Sequence, residues 1–233
     1  MRNVLTWVVV LGFCASMLAA ANPATAPTTN PAGGWGVRQI LTGDDKLPRV
    51  LLIGDSILQG YNAYAAEGLR GKFNLDIWVT PKHIASGDLP KDMAAIFAAH
   101  QYDVILFNDI GLHAWAPGRI PQGKYEPLLR EHVARFKKLS PGAKLIFATT
   151  TPMTVKGKPT ELDGEFNPLI VERNQIAAKV MAENQIPVAD YYGLLVNKLN
   201  LAAGDRFHWT KPAYQILGAE AAGRILGVPP LRN

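Results

Sequence analysis

Short runs of consecutive apolar residues alternate along the chain with longer amphipathic segments. Five runs are of the length of a buried strand: residues 50–53, 75–79, 104–107, 145–148 and 186–189. Five segments have helical periodicity or helix end signals: residues 57–69, 91–99, 125–139, 168–184 and 212–226. Since parallel strands need crossover connections, the alternation predicts a parallel sheet with helices on both faces. The expected fold class is α/β, a three-layer α/β/α sandwich with a mostly parallel five-stranded sheet.

The first 36 residues do not fit this pattern. Arg2, an apolar core over residues 4–18 and three alanines ending at Ala21 are typical of a secretory signal peptide. We expect cleavage near Ala21, export to the periplasm or the medium, and no membrane span in the mature chain; a retained N-terminal anchor is the alternative. Residues 22–36 are rich in Ala, Pro and Thr and predict a disordered linker. Residues 37–233 are expected to form one catalytic or binding domain.

Charge and cysteine content exclude several classes of function. The net charge is +5, but the Lys and Arg residues are scattered, which indicates a solvated surface and no nucleic acid partner. Cys14, the only cysteine, lies in the predicted signal peptide, so the mature chain has no disulfide, thiol nucleophile or cysteine-bound zinc. No histidine pair stands at metal-ligand spacing. We therefore expect neither a metal nor a cofactor.

One serine stands at the end of a predicted strand. Gly54-Asp55-Ser56 closes the first apolar run and leads into the next helix, where a ligand crevice and unpaired helix N–H groups are expected. The other serines lie in the leader or in predicted loops: Ser16, Ser86 and Ser140. Ser56 is therefore the candidate nucleophile.

A serine nucleophile needs a base, a group that orients the base, and donors for the oxyanion. Asp205 and His208 are three residues apart, and in one helical turn this spacing puts both side chains on one side. His208 is the candidate base and Asp205 its orienting acid. Asn108, at the end of the third strand, is a candidate side-chain donor or a turn-forming residue. Gly87, in the loop after the second strand, is a candidate backbone donor.

Together these blocks resemble the SGNH, or GDSL, hydrolases. The resemblance runs from about residue 49 to residue 226 and includes Gly54-Asp55-Ser56, a loop glycine, Asn108-Asp109 and Asp205-x-x-His208. It implies a flavodoxin-like sandwich and a serine ester hydrolase. It also implies Ser56 as nucleophile and first oxyanion donor, with Gly87 and Asn108 as the other donors. Leu106 stands where many members have glycine, and Gly111-Leu112-His113 is similar to a bacterial subgroup.

Substrate signals are weaker than the catalytic ones. Four residues are candidates for contact with substrate: Asp55, His113, Trp115 and Trp209. Aromatic side chains suit sugar rings, although such residues are more often packed in the core. We expect hydrolysis of a small acyl ester, an acetyl ester, on a carbohydrate, with an acylated small molecule or a polysaccharide as the substrate. The alternatives are a lipase, lysophospholipase or thioesterase, an O-acyltransferase, and a non-catalytic carbohydrate-binding relative; the oligomeric state is open.

Overall fold

A computed structural model describes residues 35–108, 120–121 and 123–227, and within them the chain forms eight strands and six α-helices. The strands are β1 Gly36–Leu41, β2 Arg49–Gly54, β3 Asn74–Val79, β4 Val104–Phe107, β5 Lys144–Ala148, β6 Thr154–Val155, β7 Lys158–Leu162 and β8 Val188–Ala189. The helices are α1 Ser56–Leu69, α2 Leu89–Ala99, α3 Tyr125–Leu139, α4 Asn167–Glu183, α5 Tyr191–Val196 and α6 Lys211–Leu226, with a short 3-10 helix at Leu199–Leu201. The predicted signal peptide and nearly all of the predicted linker lie outside the described residues.

The main sheet has the order β1-β3-β2-β4-β5-β8. Strands β3, β2, β4, β5 and β8 run parallel, and they are the five strands that the apolar runs predict. Their order is that of a flavodoxin-like sheet, in which the chain direction across the sheet reverses between β2 and β4. The α/β class and the mostly parallel sheet are therefore confirmed.

The sheet has a sixth strand that the sequence did not predict. Strand β1 pairs antiparallel with β3 at the sheet edge and begins at Gly36, inside the predicted linker. Its residues are half-buried or exposed, and Arg38 and Gln39 interrupt the apolar pattern. An edge strand of this kind lacks the continuous apolar run that marks a buried parallel strand.

Helices cover both faces of the sheet and enclose two hydrophobic clusters. One cluster joins α1, α5 and α6 to the sheet, and the other joins α2, α3 and α4 to the opposite face. Helices α1 and α6 approach closely because glycines lie at their crossing. A Cβ on Gly60 would lie 2.2 Å from Cζ of Tyr214, and one on Gly218 would lie 2.5 Å from Cβ of Tyr64. This contact fixes the start of α6 relative to α1.

Residues 152–167, between the fourth predicted strand and the fourth predicted helix, contain a hairpin. Strands β6 and β7 pair antiparallel outside the main sheet, and Asp163 then leads into α4. The hairpin packs beside the loop that precedes α6, where Gly157 N–H donates to the carbonyl oxygen of Gly204 over 2.8 Å. Among the helices that the structure describes, none combines the length and hydropathy needed to cross a lipid bilayer.

Candidate active site

Ser56 lies at a tight turn between a buried strand and a helix. Strand β2 ends at Gly54, and a Cβ there would lie 2.9 Å from the Leu58 Cβ, so the turn leaves little space at this position. Asp55 caps α1, since its Oδ1 accepts the Ile57 N–H over 2.9 Å. Ser56 is the first residue of α1, where backbone N–H groups lack partners within the helix. Ser56 thus places a half-buried hydroxyl at a helix N-terminus.

His208 joins Ser56 to Asp205 across the fold. The His208 Nε2 lies 2.8 Å from the Ser56 Oγ, although the two residues are 152 positions apart. The other ring nitrogen, Nδ1, lies 2.5 Å from Oδ2 of Asp205. Both distances are within hydrogen-bond reach, in the order expected for a nucleophile, a base and an orienting carboxylate. The structure therefore brings the three predicted catalytic residues together.

The segment from Asp205 to His208 is a bent loop, so the expectation of a helical turn is wrong. It follows the 3-10 helix and precedes α6, and Arg206 has a φ of 96°. Oδ1 of Asp205 accepts the N–H groups of Phe207 over 3.1 Å and of His208 over 2.8 Å. These side-chain bonds to the backbone fold the loop locally and leave Oδ2 for the His208 ring.

The same bonds keep Asp205 ionised. Partial burial by itself raises the pKa of the Asp205 carboxyl, but the His208 backbone N–H, the His208 ring and the Phe207 N–H lower it. The net effect holds the pKa of Asp205 below its ordinary value. A carboxylate is thus present at the imidazole throughout the neutral range.

Asn108 follows β4, the strand next to β2, at the point where the strand order reverses. Its N–H donates to the Ile53 carbonyl oxygen over 3.1 Å. The Asn108 Nδ2 donates to the Ala148 carbonyl oxygen over 2.7 Å, which fixes the orientation of the amide. Asn108 also lines a small cavity with Gly54, Asp55, Ile57, Leu58, Tyr61, Thr149, Thr150, Thr151 and Tyr191.

Gly87 lies in an exposed turn just before α2, in the loop that follows β3. Side-chain bonds fold this loop, since the His83 N–H donates to the Ser86 Oγ over 3.0 Å. Strand β3 neighbours β2, so the loop leaves the sheet at the same edge as Ser56. Gly87 is not among the residues that line the small cavity. Its role as an oxyanion donor stays a prediction.

The structure changes the picture for the candidate substrate contacts. Trp209 is only 4% exposed and packs in the core cluster, so its ring offers no face to a sugar. Trp209, which directly follows His208, forms an isolated β-bridge with Ala202. Asp55 is buried as the cap of α1. His113 and Trp115 lie outside the described residues.

Three consecutive threonines at this edge were missed from the sequence. Thr149, Thr150 and Thr151 follow β5 and line the cavity beside Asn108. The Thr149 Oγ1 accepts the Tyr192 N–H over 3.0 Å and lies 3.2 Å from Oδ1 of Asp190, which joins β5 to the start of α5. Their position after the fourth apolar run was a usable signal, since all parallel strands end at this edge. Within the described ranges, no group of three or more His, Cys, Asp or Glu side chains could hold a metal ion.

Comparisons with solved structures give the same fold. An acetyl xylan esterase aligns with a TM-score of 0.63 and 18% identity over 76% of this chain and 99% of its own. A carbohydrate acetylesterase from Sinorhizobium meliloti aligns with a TM-score of 0.63 and 13% identity over 77% and 99%. An M. smegmatis aryl esterase aligns with a TM-score of 0.64 and 13% identity over 78% and 100%. A scan of family models and a search of curated proteins find no match. At these identities the likeness concerns the fold, and it confirms the sandwich that the sequence resemblance implies.

Proposed function

We propose that this protein, which has the fold of the SGNH hydrolases, is a serine hydrolase of carboxylic esters. The observation that carries the proposal is the continuous contact from the Ser56 Oγ through the His208 ring to the Asp205 carboxylate. A serine hydroxyl is a weak nucleophile unless a neighbouring base takes its proton. The 2.8 Å contact supplies that base at the right atom.

The reaction proceeds through an acyl-enzyme. The Ser56 Oγ attacks the ester carbonyl carbon while the His208 Nε2 takes the hydroxyl proton, and Asp205 stabilises the imidazolium that forms. The alcohol leaves with the proton from His208. Water then attacks the acyl group with His208 again as base, the acid is released, and Ser56 regains its proton.

Negative charge on the carbonyl oxygen needs donors that are already in position. The Ser56 N–H lies at the N-terminus of α1, where the helix dipole also favours negative charge. Asn108 is the proposed side-chain donor, because it follows the strand next to β2 and lines the cavity with Asp55 and Ile57. Gly87 is the proposed third donor.

We further propose that the acyl group is an acetyl group and that it is carried by a carbohydrate. Two of the aligned structures are an acetyl xylan esterase and a carbohydrate acetylesterase, which supports this substrate class. The signal-like residues 1–21 support export, where polysaccharides are accessible. Neither a metal nor a cofactor takes part in the proposed mechanism.

The test is release of acetate from 4-nitrophenyl acetate and from an acetylated polysaccharide. Ser56→Ala is expected to lower kcat by about 1,000-fold or more on both substrates. Ser140→Ala is the control, because that hydroxyl bonds the Tyr102 carbonyl oxygen, far from His208 in the fold. Retention of activity in Ser56→Ala contradicts the serine mechanism.

The substrate is tested separately from the mechanism. We expect the acetyl ester to be preferred over the octanoyl ester, and a preference of about tenfold or more for octanoyl would instead indicate a lipase or thioesterase. Acetyl transfer to an added sugar, in place of water, would indicate an acyltransferase. Binding to the polysaccharide with no turnover of any ester would indicate a binding module.

A further inference from the structure

Residues 202–210, between the 3-10 helix and α6, carry Asp205 and His208 and form the catalytic loop. Arg206 has an unusual backbone conformation within this loop. Among the described residues, the only ones other than glycine with a positive φ are Gln185, at 57°, and Arg206, at 96°. Gln185 follows the end of α4, where a left-handed residue commonly ends a helix. Arg206 has no such explanation, since it lies between Asp205 and His208 in a loop. A strained residue of this kind persists only where its surroundings hold it.

The hairpin holds the backbone of this loop from outside. The Thr154 N–H donates to the Arg206 carbonyl oxygen over 3.1 Å, and the Gly157 N–H donates to the Gly204 carbonyl oxygen over 2.8 Å. Both donors belong to β6, β7 or the turn between them. The catalytic loop is therefore hydrogen-bonded on both sides of Asp205.

The Arg206 side chain makes a second attachment. Its Nε lies 3.5 Å from Oδ2 of Asp163, and its guanidinium carbon lies 5.6 Å from the centroid of the Phe166 ring. An arginine can pair with a carboxylate and stack on an aromatic ring at the same time. Arg206 is thus fixed to the segment that joins β7 to α4.

Asp163 is itself rigid, unlike the carboxylate of a typical surface ion pair. Its Oδ1 accepts the N–H groups of Glu165 and Phe166, both over 3.0 Å. Its own N–H donates to the Met153 carbonyl oxygen over 2.9 Å, and its side chain is 9% exposed. A buried acceptor with three fixed bonds can hold a strained partner in place.

We propose that Arg206 is a positioning residue for catalysis. Its attachment to Asp163 and Phe166 stabilises the left-handed backbone at Arg206, and that conformation turns the chain so that the Asp205 carboxylate meets the His208 ring. Arg206 therefore acts on the reaction through Asp205 and His208, without a contact of its own to Ser56. The inference rests on the proposed function of the Ser56, His208 and Asp205 contacts.

Four variants separate the side-chain attachment from the backbone strain. Arg206→Ala removes the attachment and keeps the strain, whereas Arg206→Gly removes both. Asp163→Asn keeps the Oδ1 acceptor and removes the charge that faces Arg206. Arg206→Lys keeps the charge and tests for rescue. The control is Lys158→Ala, in the same hairpin, because the Lys158 Nζ forms an exposed pair with Glu161 over 3.1 Å.

We expect Arg206→Ala to lower kcat on 4-nitrophenyl acetate by about 10- to 100-fold, because small displacements of catalytic groups have effects of this size. KM stays within about twofold of wild type, since substrate contacts are unchanged. Asp163→Asn is expected to fall in the same direction, Arg206→Lys to recover part of the loss, and Lys158→Ala to match wild type. Arg206→Gly is expected to keep more of the wild-type kcat than Arg206→Ala, because glycine adopts the left-handed backbone without strain. The proposal is overturned if kcat in Arg206→Ala and Asp163→Asn equals that of wild type, or if Arg206→Gly loses as much as Arg206→Ala.

An activity-independent measurement separates this inference from the proposed function. The His208 Nδ1 lies 2.5 Å from the Asp205 Oδ2, and a proton in so short a hydrogen bond gives a low-field NMR resonance whether or not an ester is hydrolysed. This resonance is expected to move to higher field or to be lost in Arg206→Ala and Asp163→Asn, and to be kept in Arg206→Gly. A wild-type protein that hydrolyses no ester overturns the proposed function, while a low-field resonance unchanged in Asp163→Asn and Arg206→Ala overturns the role of Arg206. If Arg206→Ala does not fold, Asp163→Asn decides the outcome.

Discussion

The two ends of the sheet both carry clusters of polar side chains, but the clusters are built differently. At the amino ends of the strands, Asp76 is fully buried and accepts bonds from the Arg49 guanidinium and the Tyr102 hydroxyl, each over 3.1 Å. Asp103 is also buried and accepts the Arg49 N–H over 2.7 Å. The two carboxylates at this end are thus buried, and each has hydrogen-bond donors as partners.

At the carboxyl ends, the His208 ring and the Asp205 carboxylate pair with each other but remain exposed to solvent. The side chains of His208 and Asp205 are 39% and 49% exposed, and the loop that carries them includes the strained Arg206. Two buried hydroxyls near this end, on Thr151 and Thr154, have no hydrogen-bond partner among the described residues. The buried network at the amino ends holds the strands together and so contributes to stability. The exposed network at the carboxyl ends leaves the His208 ring accessible to a substrate.

The largest expected effect lies at the carboxyl ends of the strands. Asp205→Asn is expected to lower kcat by about 10,000-fold, because the carboxylate that orients His208 and stabilises its charged form is lost. Stability should change little, since an Asn oxygen can still accept the Phe207 and His208 N–H groups. Steady-state kinetics on 4-nitrophenyl acetate and thermal unfolding measure the two effects.

Asp44→Asn is the matched control for this variant, because the Asp44 Oδ1 accepts the Lys46 N–H in a similar local turn at the opposite end of the sheet. It should leave kcat unchanged. A comparable loss of activity in Asp44→Asn, or a fully active Asp205→Asn, would contradict the assignment.

The next effect is expected at the amino ends of the strands, and it concerns stability, with activity retained. Asp76→Ala leaves the Arg49 charge and the Tyr102 hydroxyl without their common acceptor, at a cost of about 3 kcal/mol in the free energy of unfolding. The kcat/KM of the folded protein should stay within about twofold of wild type. Urea unfolding and steady-state kinetics on the same preparation measure the two quantities.

Asp88→Ala serves as the control, since the Asp88 carboxylate is exposed and pairs with Lys82 over 2.7 Å. Its unfolding midpoint should lie close to that of wild type. An Asp76→Ala protein with wild-type stability and reduced kcat would reverse the comparison between the two ends.

The sequence was most informative where local pattern decides structure. Ser56 stands at the junction of an apolar run and a helix, and that junction is visible without any knowledge of the fold. The Asp205 and His208 spacing was informative for a similar reason, since the acid bonds the backbone of its own loop. The helical turn expected there was wrong because those side-chain bonds compete with helix formation.

Contacts between distant segments could not be predicted in the same way. The burial of Trp209 depends on its bridge to Ala202 and on packing against the sheet. The strand at Gly36–Leu41 is defined by its pairing with β3, and its own residues are half-polar. The attachment of Arg206 to Asp163 spans 43 positions (206 − 163) and leaves no local pattern.

His132, in the middle of α3, is a buried polar side chain without a hydrogen-bond partner among the described residues. It is 1% exposed, packs against Phe107 and Phe136, and neither ring nitrogen has a partner among the described residues. Burial, with a smaller contribution from Arg135, lowers the pKa of His132 to about 3. An unfolded histidine has a pKa of about 6.5, so between these values the unfolded chain binds a proton that the native protein does not. Stability therefore falls as the pH drops below about 6.5.

His132→Phe is expected to remove this pH dependence. Wild type should lose about 2 kcal/mol more than the variant between about pH 7 and pH 5, as measured by urea unfolding. His100→Phe, at the half-buried end of α2, is the control for loss of a histidine and should follow wild type. Parallel curves for wild type and His132→Phe would show that His132 is protonated in the native protein.

The smallest expected effect is at Thr151, on the cavity beside Asn108. Its Oγ1 is buried without a hydrogen-bond partner among the described residues, and a desolvated hydroxyl of this kind destabilises the folded state. Thr151→Val keeps the side-chain shape and should raise the free energy of unfolding by about 0.5 kcal/mol, with kcat unchanged. Thr149→Val is the matched comparison, because the Thr149 Oγ1 bonds the Tyr192 N–H, and its loss should cost about 1 kcal/mol. A large fall in kcat for Thr151→Val alone would show that this hydroxyl serves the reaction, and the carboxyl ends of the strands would then include a polar group that the Ser56, His208 and Asp205 contacts do not reveal.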